Sequence, residues 1–84
     1  MKAKLIFDLP EDRKAFNAAA KADAMAVTLW EIVYNLGKEM ERYYDGMSDE
    51  EYDKLTPIDA VALYCERISQ ILEDNGIDID DLTE

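Results

Sequence analysis

The sequence predicts a mainly α fold with a small β component. The expectation is a short N-terminal strand, three or four helices and a short C-terminal strand, all in one domain spanning 1–84. Two stretches, 23–44 and 57–74, repeat apolar residues at steps of three and four, which gathers them on helix faces. Start and stop signals bracket both stretches. Only residues 2–8 and 77–79 alternate instead, as strands do. A hydrophobic fraction of 49% belongs to a folded chain, and 84 residues are enough for one core.

Residues 2–8 place Ala3, Leu5 and Phe7 on one side and Lys2, Lys4, Ile6 and Asp8 on the other. That is a half-buried strand, with Ile6 out of pattern. Pro10 then opens a helix, where its missing N–H would be unpaired anyway. Glu11 and Asp12 fill the first turn, which the helix dipole favours. Ala15, Phe16, Ala19 and Ala20 make a narrow apolar stripe able to lie close to a neighbour. The apolar face changes phase near residues 21–23, with Asp23 as an N-cap. Residues 10–44 therefore read either as two helices or as one kinked helix.

The long stretch that follows is the expected centre of the protein. Met25, Leu29, Val33, Leu36, Met40 and Tyr43 share one face, and Ile32 widens it. Val27, Trp30 and Tyr34 lie off that face, so the helix is apolar on more than one side and should meet more than one neighbour. Gly37 costs such a helix up to about 1 kcal/mol against Ala. A close helix crossing or a kink would justify it. Trp30, Tyr34 and Gly37 form the expected self-association face, because a homodimer would add burial that a chain this short lacks.

Gly46 suits the left-handed position that ends this helix. Ser48 and Glu51 form a capping box that opens a short helix. Thr56 caps the last helix, with Pro57 in its first turn. There Val61, Cys65, Ile68 and Leu72 share one face, with Ile58, Tyr64 and Ile71 beside it, and Asn75-Gly76 is the stop signal. A strand at 77–79 would pair with residues 2–7 and bring the termini together.

The net charge of −11 is unevenly spread. Residues 1–44 hold seven bases and seven acids. Residues 45–84 hold two bases and thirteen acids, so 2 − 13 supplies all of it. This disfavours direct contact with nucleic acid or anionic lipid, and suits a basic protein surface as partner. No run approaches 18 apolar residues, so no membrane span is expected. Cys65 is alone in an apolar helical pattern, where a small buried side chain is expected. With no signal-like segment at the start, a reducing cytoplasm is the expected location.

The sequence contains no histidine, which removes the commonest general base and transition-metal ligand. One cysteine without histidine cannot build a zinc site or a Cys–His nucleophile. Gly37, Gly46 and Gly76 are too isolated to cradle a phosphate. Neither Gly46 nor Gly76 has acids where an EF-hand needs them. Asp78, Asp80 and Asp81 read as a solvated acidic tail before a metal site. The expectation is therefore a protein that is not an enzyme, with no catalytic residue, cofactor or metal.

What remains is a surface. Tyr43, Tyr44 and Tyr52 lie among Asp45, Asp49, Glu50, Glu51 and Asp53. Tyrosines anchor interfaces through large area and a polar tip, and surrounding acids steer a basic partner inward. These eight residues are the candidate partner-binding set. The competing expectation is that the tyrosines complete the core while the acids only face water. On that view the chain is a self-assembling structural or accessory module.

The opening Lys2-Ala3-Lys4-Leu5-Ile6-Phe7-Asp8-Leu9-Pro10-Glu11-Asp12, the run through Phe16 into alanines, and Leu29-Trp30-Glu31-Ile32 resemble small proteins of tailed phages and prophages. In those, a strand ending in a Leu-Pro-Glu-Asp-like turn precedes a helix and a Leu-Trp-Asp/Glu-Ile-like stretch. The resemblance covers about the first half of the chain and carries over no site residue. It implies a phage setting, where small acidic proteins without catalytic groups often inhibit host machinery, including defence nucleases, some as nucleic-acid mimics.

Overall fold

Two helical arms running in opposite directions organise the chain, seen in a computed structural model that describes residues 1–83. The first arm is α2 (Ala22–Trp30), a π-helical segment (Glu31–Leu36) and α3 (Gly37–Asp45) in unbroken helical succession. Short α4 (Asp49–Lys54) makes the corner, and α5 (Pro57–Asp74) is the return arm. Three contacts give the direction. The Tyr44 hydroxyl donates to the Ala60 carbonyl at 3.5 Å, Arg67 pairs with Glu39 at 2.8 Å, and the Asn75 amide donates to Glu31 at 3.5 Å. Ahead of the hairpin lies α1 (Arg13–Ala20), and after it a 3-10 turn (Ile79–Asp81).

The π segment decides which side of the first arm faces inward. In an α-helix each residue advances about 100°, so residues four apart slip by about 40° per step. A π turn closes i→i+5 bonds and advances less per residue. Thr28, Ile32, Leu36 and Met40 can therefore stay in line, continued by Tyr44. Leu36 is fully buried and forms the core with Met40 and Ile71, against which Ile32, Tyr44, Leu63 and Ile68 pack. Thr28 is buried too, its hydroxyl donating to the Ala24 carbonyl at 2.7 Å. The 3.6-residue period correctly selects Leu36 and Met40 but puts Leu29, Val33 and Tyr43 inside with them. They are instead 62%, 67% and 52% exposed. The last arm shows the same displacement: Ile71 is buried, while Ile58, Val61 and Cys65 are exposed.

Local end signals fare better. Ser48 accepts the Glu51 N–H at 3.2 Å, as a cap should, but the Glu51 carboxylate takes the Ser48 hydroxyl rather than its N–H. The reciprocal box forms one helix later. There the Thr56 hydroxyl accepts the Asp59 N–H, and Asp59 accepts the Thr56 N–H, both at 3.1 Å. At the far end of α5, Ile77 N–H bonds Leu72 O at 2.8 Å and Gly76 N–H bonds Glu73 O at 3.0 Å. That is a Schellman closure, with Gly76 at φ +68. Gly46 differs from expectation: it stays right-handed at φ −81 and ends α3 by bonding the Arg42 carbonyl.

Among the described residues there is no strand. A strand needs a partner for its backbone groups, and the expected partner is occupied elsewhere. The Schellman turn buries Ile77, and the Asp78 carboxylate accepts the Asp80 N–H at 3.0 Å to start the 3-10 turn. The tail docks on α1: Lys14 donates to the Asp80 carbonyl at 2.7 Å and to that of Thr83, and Asn17 to that of Asp81 at 3.2 Å. The tail's backbone is thus folded back on α1, while the Asp78, Asp80 and Asp81 side chains stay exposed to solvent. Residues 1–8 form no regular element, with Leu5 and Ile6 exposed and Phe7 edge-on to Phe16 at 5.7 Å. Pro10 lies in a turn before α1, closed by Asp12 N–H to Asp8 O at 2.8 Å. Lys21 separates α1 from α2 as a kink, since i→i−4 bonds at 3.0 and 2.9 Å continue through it. Asp23 falls in the first turn of α2 rather than capping it.

The result is long and thin, 57 × 28 × 16 Å, with a radius of gyration of 18.0 Å. A compact chain of this length would have a radius of about 12 Å.

The two glycines after helices should respond oppositely to alanine. Gly76→Ala places a Cβ at φ +68, which costs about 1–2 kcal/mol and loosens the docked tail. At Gly46 a Cβ meets only ordinary contacts at 3.5 and 3.6 Å, so Gly46→Ala should be neutral or stabilising. Thermal unfolding of the two variants checks the contrast.

Candidate functional site

The corner of the hairpin collects the residues of the candidate binding set. Tyr43 and Asp45 end α3, and Asp49, Glu50, Glu51, Tyr52 and Asp53 occupy α4. All seven are exposed, with Tyr43 and Tyr52 at 52% and 58%. Tyr44 is the exception. It is half-buried against the Leu36–Met40–Ile71 core, so it supports the corner from within. Its ring still meets that of Tyr43 edge-to-face at 5.6 Å and 80°, which holds Tyr43 in place from below.

The carboxylates of this corner are mostly uncompensated. Among the described residues, Glu50 alone of the five acids has a basic partner, Lys54 at 3.3 Å. That pair is highly exposed and links neighbouring turns of one helix, so it contributes little. Asp59 has a structural task. The Thr56 N–H first, and the Thr56 hydroxyl second, hold its carboxyl below the ordinary value of 3.8. The cap thereby closes the first turn of α5.

Beside the corner, Glu39, Met40, Tyr43, Leu63, Glu66, Arg67 and Gln70 line a hollow of about 240 Å³, smaller than usual ligand sites. The larger groove, about 430 Å³, lies at the other end between the arms. It is walled by Met25, Leu29, Ile32, Ile68, Leu72 and Ile77. Its two hydroxyls, on Thr28 and Thr83, already donate to backbone carbonyls. The groove is thus apolar without groups converging to orient a substrate. Among the described residues no three Asp, Glu or Cys side chains gather as metal ligands. No helix there is long and apolar enough to cross a membrane.

Trp30 and Tyr34 lie on the outer side of the first arm, ring centroids 6.0 Å apart, and both are exposed. Gly37 is also exposed, and a Cβ there would meet nothing within 4 Å. Among the described residues no crossing accounts for it. Periodicity placed Leu29, Val33, Val61 and Cys65 in the core, and so missed a second surface, the apolar side of the hairpin. The one available signal was a first arm apolar on two sides.

Comparison of the chain with protein-family models, with curated proteins and with solved structures finds no match.

The Asp59 cap gives a defined pH response. Because folding lowers this carboxyl, its stabilisation is present above the unfolded value of 3.8 and is lost as pH falls through the folded value. Wild type should therefore be more stable than Asp59→Asn near neutrality, with the gap closing below pH 3.8. Paired thermal melts against pH read this directly.

Proposed function

We propose that this is a non-enzymatic binding protein whose acidic, tyrosine-bearing corner docks on a basic surface of another protein. One observation supports it above others: Asp45, Asp49, Glu51 and Asp53 have no Lys or Arg within ion-pairing distance among the described residues. Carboxylates left unneutralised beside two half-exposed tyrosines combine long-range attraction with apolar anchors. Five of the eight residues sit on α4, a helix capped by Ser48, rather than on a loop. The resemblance to phage proteins makes the proposed partner a host protein, for instance a defence or nucleic-acid-binding protein. Covering that partner's basic surface would exclude its nucleic acid, which is the action of a nucleic-acid mimic.

Replacing Asp49, Glu50, Glu51 and Asp53 together by Asn or Gln tests this. Pull-down from host lysate with mass spectrometry, in low and high salt, should show a basic protein captured by wild type and lost with the neutral variant. With the captured protein in hand, association should slow roughly tenfold and lose much of its salt dependence. Equal capture by both forms would rule out the electrostatic corner.

A further inference from the structure

The small hollow between the arms lies against the acidic corner and shares Tyr43 with it. Met40, which is buried, and half-buried Leu63 form its apolar part. Tyr43 adds an aromatic ring, kept in place by its edge-to-face contact with Tyr44 at 5.6 Å. Glu39, Glu66 and Arg67 supply the charges, two carboxylates against one guanidinium. That guanidinium is already committed. Its Nε and Nη2 both go to one oxygen of Glu39, Oε1, at 3.0 and 2.8 Å. Among the described residues the second oxygen, Oε2, accepts no hydrogen bond, and Glu66 has no basic partner. The hollow therefore keeps carboxylate oxygens for a cation from outside, beside apolar surface and a half-exposed ring.

We infer that this hollow holds one arginine side chain of the basic partner protein, which rests on the binding corner proposed above. Size selects a single side chain. At about 240 Å³ the hollow is smaller than ordinary ligand sites, and interface anchors are often one side chain filling one recess. Charge selects a cation, because an apolar side chain would cover Glu66 and Glu39 Oε2 without pairing them. The mixed lining selects arginine over lysine. An arginine stem lies along apolar surface such as Met40 and Leu63 while its head stays at the rim. Its planar guanidinium stacks on aromatic rings and carries enough donors for two carboxylates at once. The lysine ammonium is a compact, strongly hydrated charge that gains less from such a place. Glu39 then bridges two guanidinium groups, Arg67 on Oε1 and the incoming one on Oε2, as the lone pairs of a carboxylate allow.

A short all-lysine peptide, and the same peptide with its central lysine replaced by arginine, test this at equal charge. Calorimetric titration of the whole chain at physiological salt should show the arginine peptide binding roughly tenfold tighter. The methyl resonances of Met40 and Leu63 should shift as it binds. Glu66→Gln and Tyr43→Leu, both at exposed positions, should each bring the two affinities close together, with circular dichroism checking that the helices persist. Replacing Asp49, Glu50, Glu51 and Asp53 by Asn or Gln should weaken both peptides and keep their ratio, so the hollow and the corner fail separately. Equal affinities in wild type, or no binding of either peptide, would overturn the arginine site. So would a preference that survives both substitutions or leaves Met40 and Leu63 unmoved.

Discussion

The structure depends on one ridge-to-ridge contact, Leu36 and Met40 of the first arm against Ile71 of the second. Among the described residues it is the only place where three large apolar side chains are closed off from water together. The antiparallel direction, the corner at α4 and the position of the acidic cluster all follow from where that contact falls. Polar ties act as guides along it. The half-exposed Arg67–Glu39 pair and the long, 3.5 Å Asn75–Glu31 bond fix the register but hold the arms together only weakly. A core this narrow explains why the molecule stays long and thin. The helices meet along a line rather than around a centre, and their outer faces stay bare.

The π segment is the less visible half of the same constraint. It sits at the middle of the first arm, directly opposite α5, and keeps residues at four-residue spacing in line with the partner. The consequence is a division of the apolar residues into two sets. Ile32, Leu36, Met40 and Tyr44 serve the hairpin; Leu29, Val33, Val61 and Cys65 are left on a side of their own. A helix apolar on two sides thus has one side packed inside the hairpin and another exposed.

Local signals in the sequence match the structure where the chemistry is complete within a few residues. Thr56-Pro57 starts a helix and Asn75-Gly76 ends one because the groups that satisfy each other are neighbours along the chain. Even so, two near-identical pairs behave differently. Asn75-Gly76 becomes left-handed while Asp45-Gly46 does not, because Ile77 has an apolar groove to enter after Gly76. The reciprocal cap also moved from Ser48–Glu51 to Thr56–Asp59, since Asp59 reaches the backbone N–H that Glu51 does not. The expected strands required distant partners, and the tail found α1 instead.

By itself the sequence determined that the chain is mainly helical, where its last helix begins and ends, and that negative charge gathers in its second half. These are properties of composition, periodicity and adjacent residues. Only the tertiary structure decided which apolar residues are inside, that Tyr44 supports the corner while Tyr43 and Tyr52 face out, and that Cys65 is exposed. The reason is geometric. A change in turn from 3.6 residues to a wider one rotates every later side chain, and no residue type announces it. Which side of a helix is buried depends on the helix that meets it.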